Sequence, residues 1–320
     1  MKPINTLLVI ALISLLILCI SPYLGLIIKD PAIEYHILTQ LRLPRVLFAF
    51  IAGAGLALCG MVFQAMFHNP LATPFTLGVA SGASLGAAIY VYLGFGFTLL
   101  GLDGATFSAF LGALIAISFV YSISRYQNGF SPETLLLTGV AISFFFSSLI
   151  LFTQYLSNLT DSFQILRWLM GSLTTVGYRD IMQLLPFVTL CSAAILWLTR
   201  ELNLLMAGDD IALSRGVSVQ KIRYSLFFVT SLCVGAIVAL CGPIGFVGMM
   251  VPHICRLIIG SDHRYLAPAS LLVGGSFLIV CDTISRLIIA PAEIPVGVIT
   301  TLLGGPFFLW LLIKSKSKGA

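Results

Sequence analysis

Four groups of residues in this chain could do chemistry. Gly82-Ala83-Ser84-Leu85-Gly86 matches the GxSxG pattern that presents a nucleophilic serine. That pattern needs a strand-to-helix elbow, and here it lies in the middle of an apolar run. Gly82 and Gly86 have the spacing that lets two helices approach closely in lipid. A helix-borne Ser84 served by His253 would make an intramembrane protease, which is the weaker reading. The four histidines, His36, His68, His253 and His263, are scattered and form no HExxH pair. The seven cysteines each sit in or beside an apolar run and show no CxxC spacing, which reads as small core residues rather than disulfides or metal ligands. The chain also lacks GxxxxGK[ST], so it cannot hold ATP in that kind of loop.

The charged residues are few and specifically placed. Asp103, Asp282 and Glu293 fall at the edges of apolar runs. A proton-coupled carrier would hold ionisable groups at mid-membrane, so their edge positions argue against one. Residues 200–223, RELNLLMAGDDIALSRGVSVQKIR, form the one long polar interruption. Asp210 to Leu213 can make a short helix that Gly216 ends through a left-handed cap. Such a helix on the water side of a membrane domain is a handle for a soluble partner. The plainer reading is a solvated loop.

The elements that must position these residues follow from composition. Of 320 residues 59% are hydrophobic and 9% charged, and mean hydropathy is +1.06. Soluble domains carry roughly 25% charged residues. Backbone groups in hydrocarbon must pair internally, and apolar runs of about 20 residues choose helices over barrel strands. The expected fold is an all-α integral membrane protein of about ten spans: 5–28, 44–67, 75–94, 104–124, 132–155, 180–199, 224–242, 246–259, 265–289 and 296–313. The eighth is short and expected to break at Pro252. The first is read as an uncleaved span, because no small-residue cleavage site follows it. Residues 156–179, with Trp168 and Tyr178, are expected to hold a short interfacial helix.

The net charge of +5 is spread along the chain and makes no nucleic-acid patch. An even number of spans puts both termini on one side. If that side is the cytoplasm, the opposite side receives Lys29, Arg42, Arg45, Arg167, Arg179 and Arg286, and the other 11 of the 17 basic residues lie inside. The positive-inside bias therefore favours cytoplasmic termini and a cytoplasmic 200–223 segment. The outer arginines then oppose the rule. They either snorkel to lipid phosphates or form an electropositive rim for an acidic partner. Ala57-Leu58-Cys59-Gly60 recurs as Ala239-Leu240-Cys241-Gly242, running in the opposite sense. This points to two inverted halves, spans 2–5 and 7–10.

Taken together, several motifs resemble one family. They are Arg42-Leu43-Pro44-Arg45, Asn69-Pro70-Leu71-Ala72-x-Pro74, Gly78-Val79-x-Ser81-Gly82-Ala83, Gly242-Pro243-Ile244-Gly245-Phe246-Val247-Gly248, Val251-Pro252-His253, Asp282-Thr283-Ile284-Ser285-Arg286, Glu293-Ile294-Pro295-Val296-Gly297-Val298 and Gly304-Gly305-Pro306-Phe307-Phe308. The chain looks like a permease of the ABC importers for ferric siderophores, haem and vitamin B12.

The resemblance implies a single transmembrane permease domain over 1–320, in the bacterial inner membrane, with both termini cytoplasmic. It implies a homodimer or close heterodimer around one pathway lined by the fifth and tenth spans. Two cytoplasmic ATPase subunits would bind below, bringing ATP and magnesium, and a periplasmic substrate-binding protein would dock above. This chain would carry no cofactor and no catalytic site. Arg42, Arg45 and Arg286 match the arginines that meet glutamates of the binding protein. Asp209, Asp210, Ala212, Leu213, Arg215, Gly216 and Val217 match the segment presented to the ATPase. Ser81, Ala83, Pro132, Glu133 and Thr134 fall at the inner gate. Ferric siderophores come first as substrate, then cobalamin and haem. An ion-driven secondary carrier is the competing class.

Overall fold

The computed structural model describes residues 3–25, 30–70, 72–99, 101–126, 132–290 and 292–316. Fourteen α-helices run through them: α1 (Pro3–Ile20), α2 (Pro31–Ile37), α3 (Leu43–Met66), α4 (Val79–Leu93), α5 (Gly104–Tyr126), α6 (Pro132–Leu156), α7 (Leu159–Leu169), α8 (Arg179–Trp197), α9 (Thr199–Ala207), α10 (Asp209–Ser214), α11 (Val219–Cys241), α12 (Val247–Ile259), α13 (His263–Leu287) and α14 (Val296–Lys316). Seven stretches are long and apolar enough to cross a bilayer, and α4, α12 and α14 add three shorter apolar ones. These are the ten spans expected. The short helix expected over 156–179 is α7, started by Asn158, whose side chain accepts from Asp161 N–H. Thr98–Leu99 and Leu102–Asp103 pair as a small hairpin that the apolar pattern did not announce.

The two inverted halves are visible in how helices are entered and whom they touch. Both α4 and α12 are short, and each is entered through a residue of positive φ, Gly78 at +78° and Phe246 at +67°. Helix α3 packs on α12 and α13, and α11 packs on α4 and α5. The first helix of each half thus packs against the second and third helices of the other. Small residues make the close approaches. A Cβ on Gly53 would lie 2.3 Å from the Gly274 carbonyl oxygen, and one on Gly82 would lie 2.5 Å from that of Gly112. Only glycine allows these backbones to touch. Helix α3 is accordingly buried along nearly all its length, from Pro44 to Met66.

Helix α12 runs continuously through Pro252, where a break was expected. Proline at this place removes one hydrogen bond near the helix start, and its buried ring sits in the core between neighbouring helices. A different proline reshapes the entry to α3. Pro44 has no N–H to give the Gln40 carbonyl. The preceding turn, Leu38–Arg42, widens to a π turn, with Leu43 N–H bonding Leu38 O. The freed Gln40 carbonyl accepts from Gly177 N–H at 2.8 Å, and the Thr39 carbonyl accepts from the Tyr178 hydroxyl at 3.1 Å. The loop before α8 is thereby fastened over the start of α3, beside Arg42 and Arg45.

Candidate docking and coupling sites

Helix α3 is 24 residues long, about 36 Å at 1.5 Å per residue. Its first turn marks the arginine end of the bundle. Its last turn meets α9 at the other end, where the His68 Nε2 lies 2.8 Å from Leu205 O. The two sets of charged residues therefore sit at opposite ends.

At the arginine end, Arg45 of α3 forks between two acids. Its Nε donates to Asp282 Oδ1 at 2.9 Å, and its Nη1 donates to Glu293 Oε2 at 2.8 Å. Arg286, one helical turn beyond Asp282 on α13, donates from Nε to Asp282 Oδ2 at 3.0 Å. The Asp282 side chain is only 1% exposed, against 12% and 10% for the two arginines and 42% for Glu293. A carboxylate this deep is tolerable because two guanidiniums hold both its oxygens. Beside this network lies a cavity of about 540 Å³, lined by Arg42, Arg45, Asp180, Arg286 and Glu293 among others. Thr175 Oγ1 holds Asp180 at 2.7 Å.

The expectation of an electropositive rim therefore changes in detail. Three arginines face Asp180, Asp282 and Glu293, so this cluster is close to charge balance. Arg45 and Arg286 both hold Asp282 within the chain. Sequence reading placed Asp282 and Glu293 at span edges but did not pair them with the arginines. The i,i+4 spacing of Asp282 and Arg286 on one helix face was the available signal.

At the other end, α9 is anchored by Leu202 and Leu205, both fully buried. Asn203 bonds the Asp262 carboxylate at 2.8 Å and receives His263 N–H at 2.9 Å. Asp262 caps α13 by accepting from Arg264 N–H at 3.0 Å. Burial alone would raise this carboxyl, but hydrogen bonds from Arg264 N–H and Asn203 and the nearby Arg264 charge hold it below the usual range. From α9 the chain turns through Gly208 into α10. The expected helix, Asp210 to Leu213, is present as Asp209–Ser214. Gly216 takes φ +80°, and Val217 N–H reaches back to Ala212 O at 3.0 Å. Ala212 is buried, while Ile211 and Leu213 are 49% and 58% exposed. Arg215 is exposed and Val217 half-buried. Asp210 is exposed, and Asp209, half-buried, pairs with Arg223 of α11 at 2.7 Å.

The gate candidates fall at the α10 end, at the starts of α4 and α6. Ser81 is half-buried with its hydroxyl on Gly78 O, Glu133 is exposed and Thr134 half-buried. Ala83 is fully buried and turns into the subunit, so it packs rather than lines a passage. The Pro132 side chain lies outside the described residues. The protease reading loses its geometry. Ser84 is buried with its hydroxyl on Ala80 O, and His253 packs against Phe307.

Residues 6–314 match the model of the FecCD transport family. The chain belongs to that family. It is 38% identical to the hemin transport system permease HmuU of Yersinia pestis, covering 89% of this chain and 85% of that one. It is 42% identical to the cobalamin import permease BtuC of Halobacterium salinarum, over 88% and 74%. It is 31% identical to the iron(3+)-hydroxamate permease FhuG of Bacillus subtilis, over 98% of each. A solved structure described as an inward-facing metal-chelate type ABC transporter superposes with TM-score 0.88 at 32% identity, over 97% and 99%. This FecCD chain is an ABC importer permease, a multi-pass membrane protein whose family places ATP hydrolysis on a separate subunit.

Proposed function

We propose that this permease moves a ferric siderophore from periplasm to cytoplasm as half of a homodimer or close heterodimer in the bacterial inner membrane, with both termini and α10 on the cytoplasmic side. The observation that carries the chelate reading is the absence of charge on the helices assigned to the pathway. From Thr134 to Leu156 on α6, and from Val296 to Ile313 on α14, there is no Asp, Glu, Lys or Arg. Ser143, Ser148 and Thr301 donate their hydroxyls to backbone carbonyls of their own helices. A bare metal cation would need ligands or counter-charges there. A metal already wrapped in an organic chelator needs only a smooth, weakly polar wall.

The cycle follows. The loaded binding protein docks at the arginine end, where its glutamates compete with the exposed Glu293 for Arg45 and reach Arg42 on the wall of the cavity. Arg45 keeps its bond to Asp282, which Arg286 steadies from the same helix, and the α3–α13 joint stays closed. On the other side, ATP with magnesium closes the ATPase dimer. The exposed Ile211 and Leu213 of α10 pass that movement to α9 and α11. Ser81, Glu133 and Thr134, where α4 and α6 begin, then switch the inner gate. The whole chain acts as one transmembrane unit.

The higher identities to the cobalamin and hemin permeases favour a second reading, in which the cargo is one of those macrocycles. The test is uptake of radioactive iron, given as ferric siderophore, in cells lacking this gene with and without a plasmid copy. Restored uptake is expected. No restoration, while labelled cobalamin or haem uptake is restored, overturns the siderophore assignment.

A further inference from the structure

Three of the seven cysteines converge inside the bundle from three different helices. Cys59 of α3, Cys191 of α8 and Cys233 of α11 are each 3% exposed or less. Their three sulfurs lie within 4.8 Å of one another, with Cys59 Sγ and Cys191 Sγ 3.8 Å apart. Nothing in the spacing along the chain announced this, because the residues are separated by 132 and 42 positions. Gly55, one turn before Cys59, makes the convergence possible. A Cβ there would press on Ile237 Cδ1 at 2.8 Å, Val188 Cγ2 at 3.2 Å and Cys233 Sγ at 3.5 Å. Gly55 and Cys59, Val188 and Cys191, and Cys233 and Ile237 thus share faces at helical spacing.

We infer that Cys59, Cys191 and Cys233 form a trithiol site for a soft, thiophilic trivalent species, with arsenic(III) as the fitting case. The distances carry the coordination. Arsenic(III) keeps a lone pair and takes its three sulfurs on one side, so at a bond length of about 2.3 Å they lie about 3.5 Å apart, and side-chain rotations must draw the three sulfurs in from their present spacing. The surroundings carry the charge. The three thiols lie in the apolar core, where Cys59 Sγ also reaches the Thr230 carbonyl at 3.7 Å. A complex with net charge would sit unpaired in an apolar interior, at high cost. Three thiolates leave −2 on a monovalent ion and −1 on a divalent one, but cancel a trivalent centre. The reaction with arsenous acid is As(OH)₃ + 3 RSH → As(SR)₃ + 3 H₂O. Three As–O bonds break and three As–S bonds form. Each thiol proton leaves with a hydroxide as water. No electron changes hands, and every species is neutral. Occupancy would join α3, α8 and α11 into one rigid unit.

The experiment uses the purified full-length permease with its ATPase. It is equilibrated with arsenite and desalted, then measured by elemental analysis and arsenic X-ray absorption. One arsenic per chain with three sulfur neighbours is expected, together with a rise in Tm. C59S, C191S and C233S should each weaken retention at least tenfold, and C19S should leave it unchanged. No retained arsenic in the wild-type protein overturns the site, as does a shell of fewer than three sulfurs. Retention that depends on Cys19 overturns it equally. If the serine variants fail to fold, the wild-type sulfur count decides alone. Copper(I) held more tightly than arsenite in the wild-type protein would overturn the trivalent assignment.

Discussion

The two ends of this permease hold their charges in opposite ways. At the arginine end, Arg45 and Arg286 grip a buried Asp282, and only Glu293 reaches well into solvent. At the α10 end, one ion pair, Asp209 with Arg223, ties down a six-residue helix whose apolar side chains stand in the open. The first is a closed joint between the leading helix of one half and the third helix of the other. The second is a lever, flanked by Gly208 and Gly216 at positive φ. The difference teaches that docking and coupling ask different things of charge. A surface that receives a partner must stay rigid and offer few free groups. A surface that transmits motion must hold its shape while its attachment gives way.

The sharpest way to break this contrast is at Asp282. D282A leaves the buried Arg286 without its carboxylate and Arg45 with Glu293 alone, and removal of one member of a buried pair costs about 3–5 kcal/mol. The expected result is a large fall in Tm or loss of folded protein in detergent. D209N at the other end should lower Tm less, because Arg223 is buried but Asp209 is 43% exposed, so solvent screens the pair and a single guanidinium rather than two loses its carboxylate. Equal effects would erase the distinction between joint and lever. Next in size is G216V. A Cβ at Gly216 meets nothing within 4 Å, so the cost comes from φ +80° alone, about 1–2 kcal/mol for a side-chain-bearing residue. Stability should drop modestly while transport collapses and the ATPase stays bound. Normal transport in G216V would remove the coupling assignment.

Much of this was legible from residue types and spacing. The ten spans follow from apolar runs. The α10 helix follows from Asp210 to Gly216, because a left-handed glycine ends a helix whatever surrounds it. The spacing of Gly82 and Gly86 marked a close approach, where Gly82 meets Gly112. What stayed hidden depends on which helices become neighbours. The partner of Arg45 lies 237 residues away. The Gln40–Gly177 bond needed the π turn before Pro44, and periodicity does not report where a freed carbonyl will find its donor. The thiol cluster is of the same kind, since three unremarkable core positions became a site only through packing.

Smaller effects sharpen the contrast from the arginine end. R42E should weaken binding-protein docking by about tenfold, or about 1.4 kcal/mol, because Arg42 lines the cavity at the docking end. E293Q should act in the reverse direction and tighten docking several-fold, because it removes the internal competitor for Arg45. Surface plasmon resonance with the loaded binding protein measures both. Weaker docking in E293Q would show that Glu293 presents Arg45 rather than withholding it, and the partner-exchange step would have to go.

The smallest effect belongs to the α10 end and is read in pH. Asp262 is held below its ordinary carboxyl range in the folded protein, so its contribution is complete above the unfolded value of 3.8. It is lost as pH falls through that value and below, where protonation removes the cap on α13 and the bond from Asn203. D262A should therefore lower Tm at neutral pH by what one helix cap is worth, about 1 kcal/mol. The difference between variant and wild type should narrow as the pH approaches 3.5. A gap that stays constant with pH would mean that Asp262 acts through packing rather than charge. The charged tie from Asp262 to Asn203 of α9 would then be lost from the description, leaving the fully buried Leu202 and Leu205 as what anchors the lever.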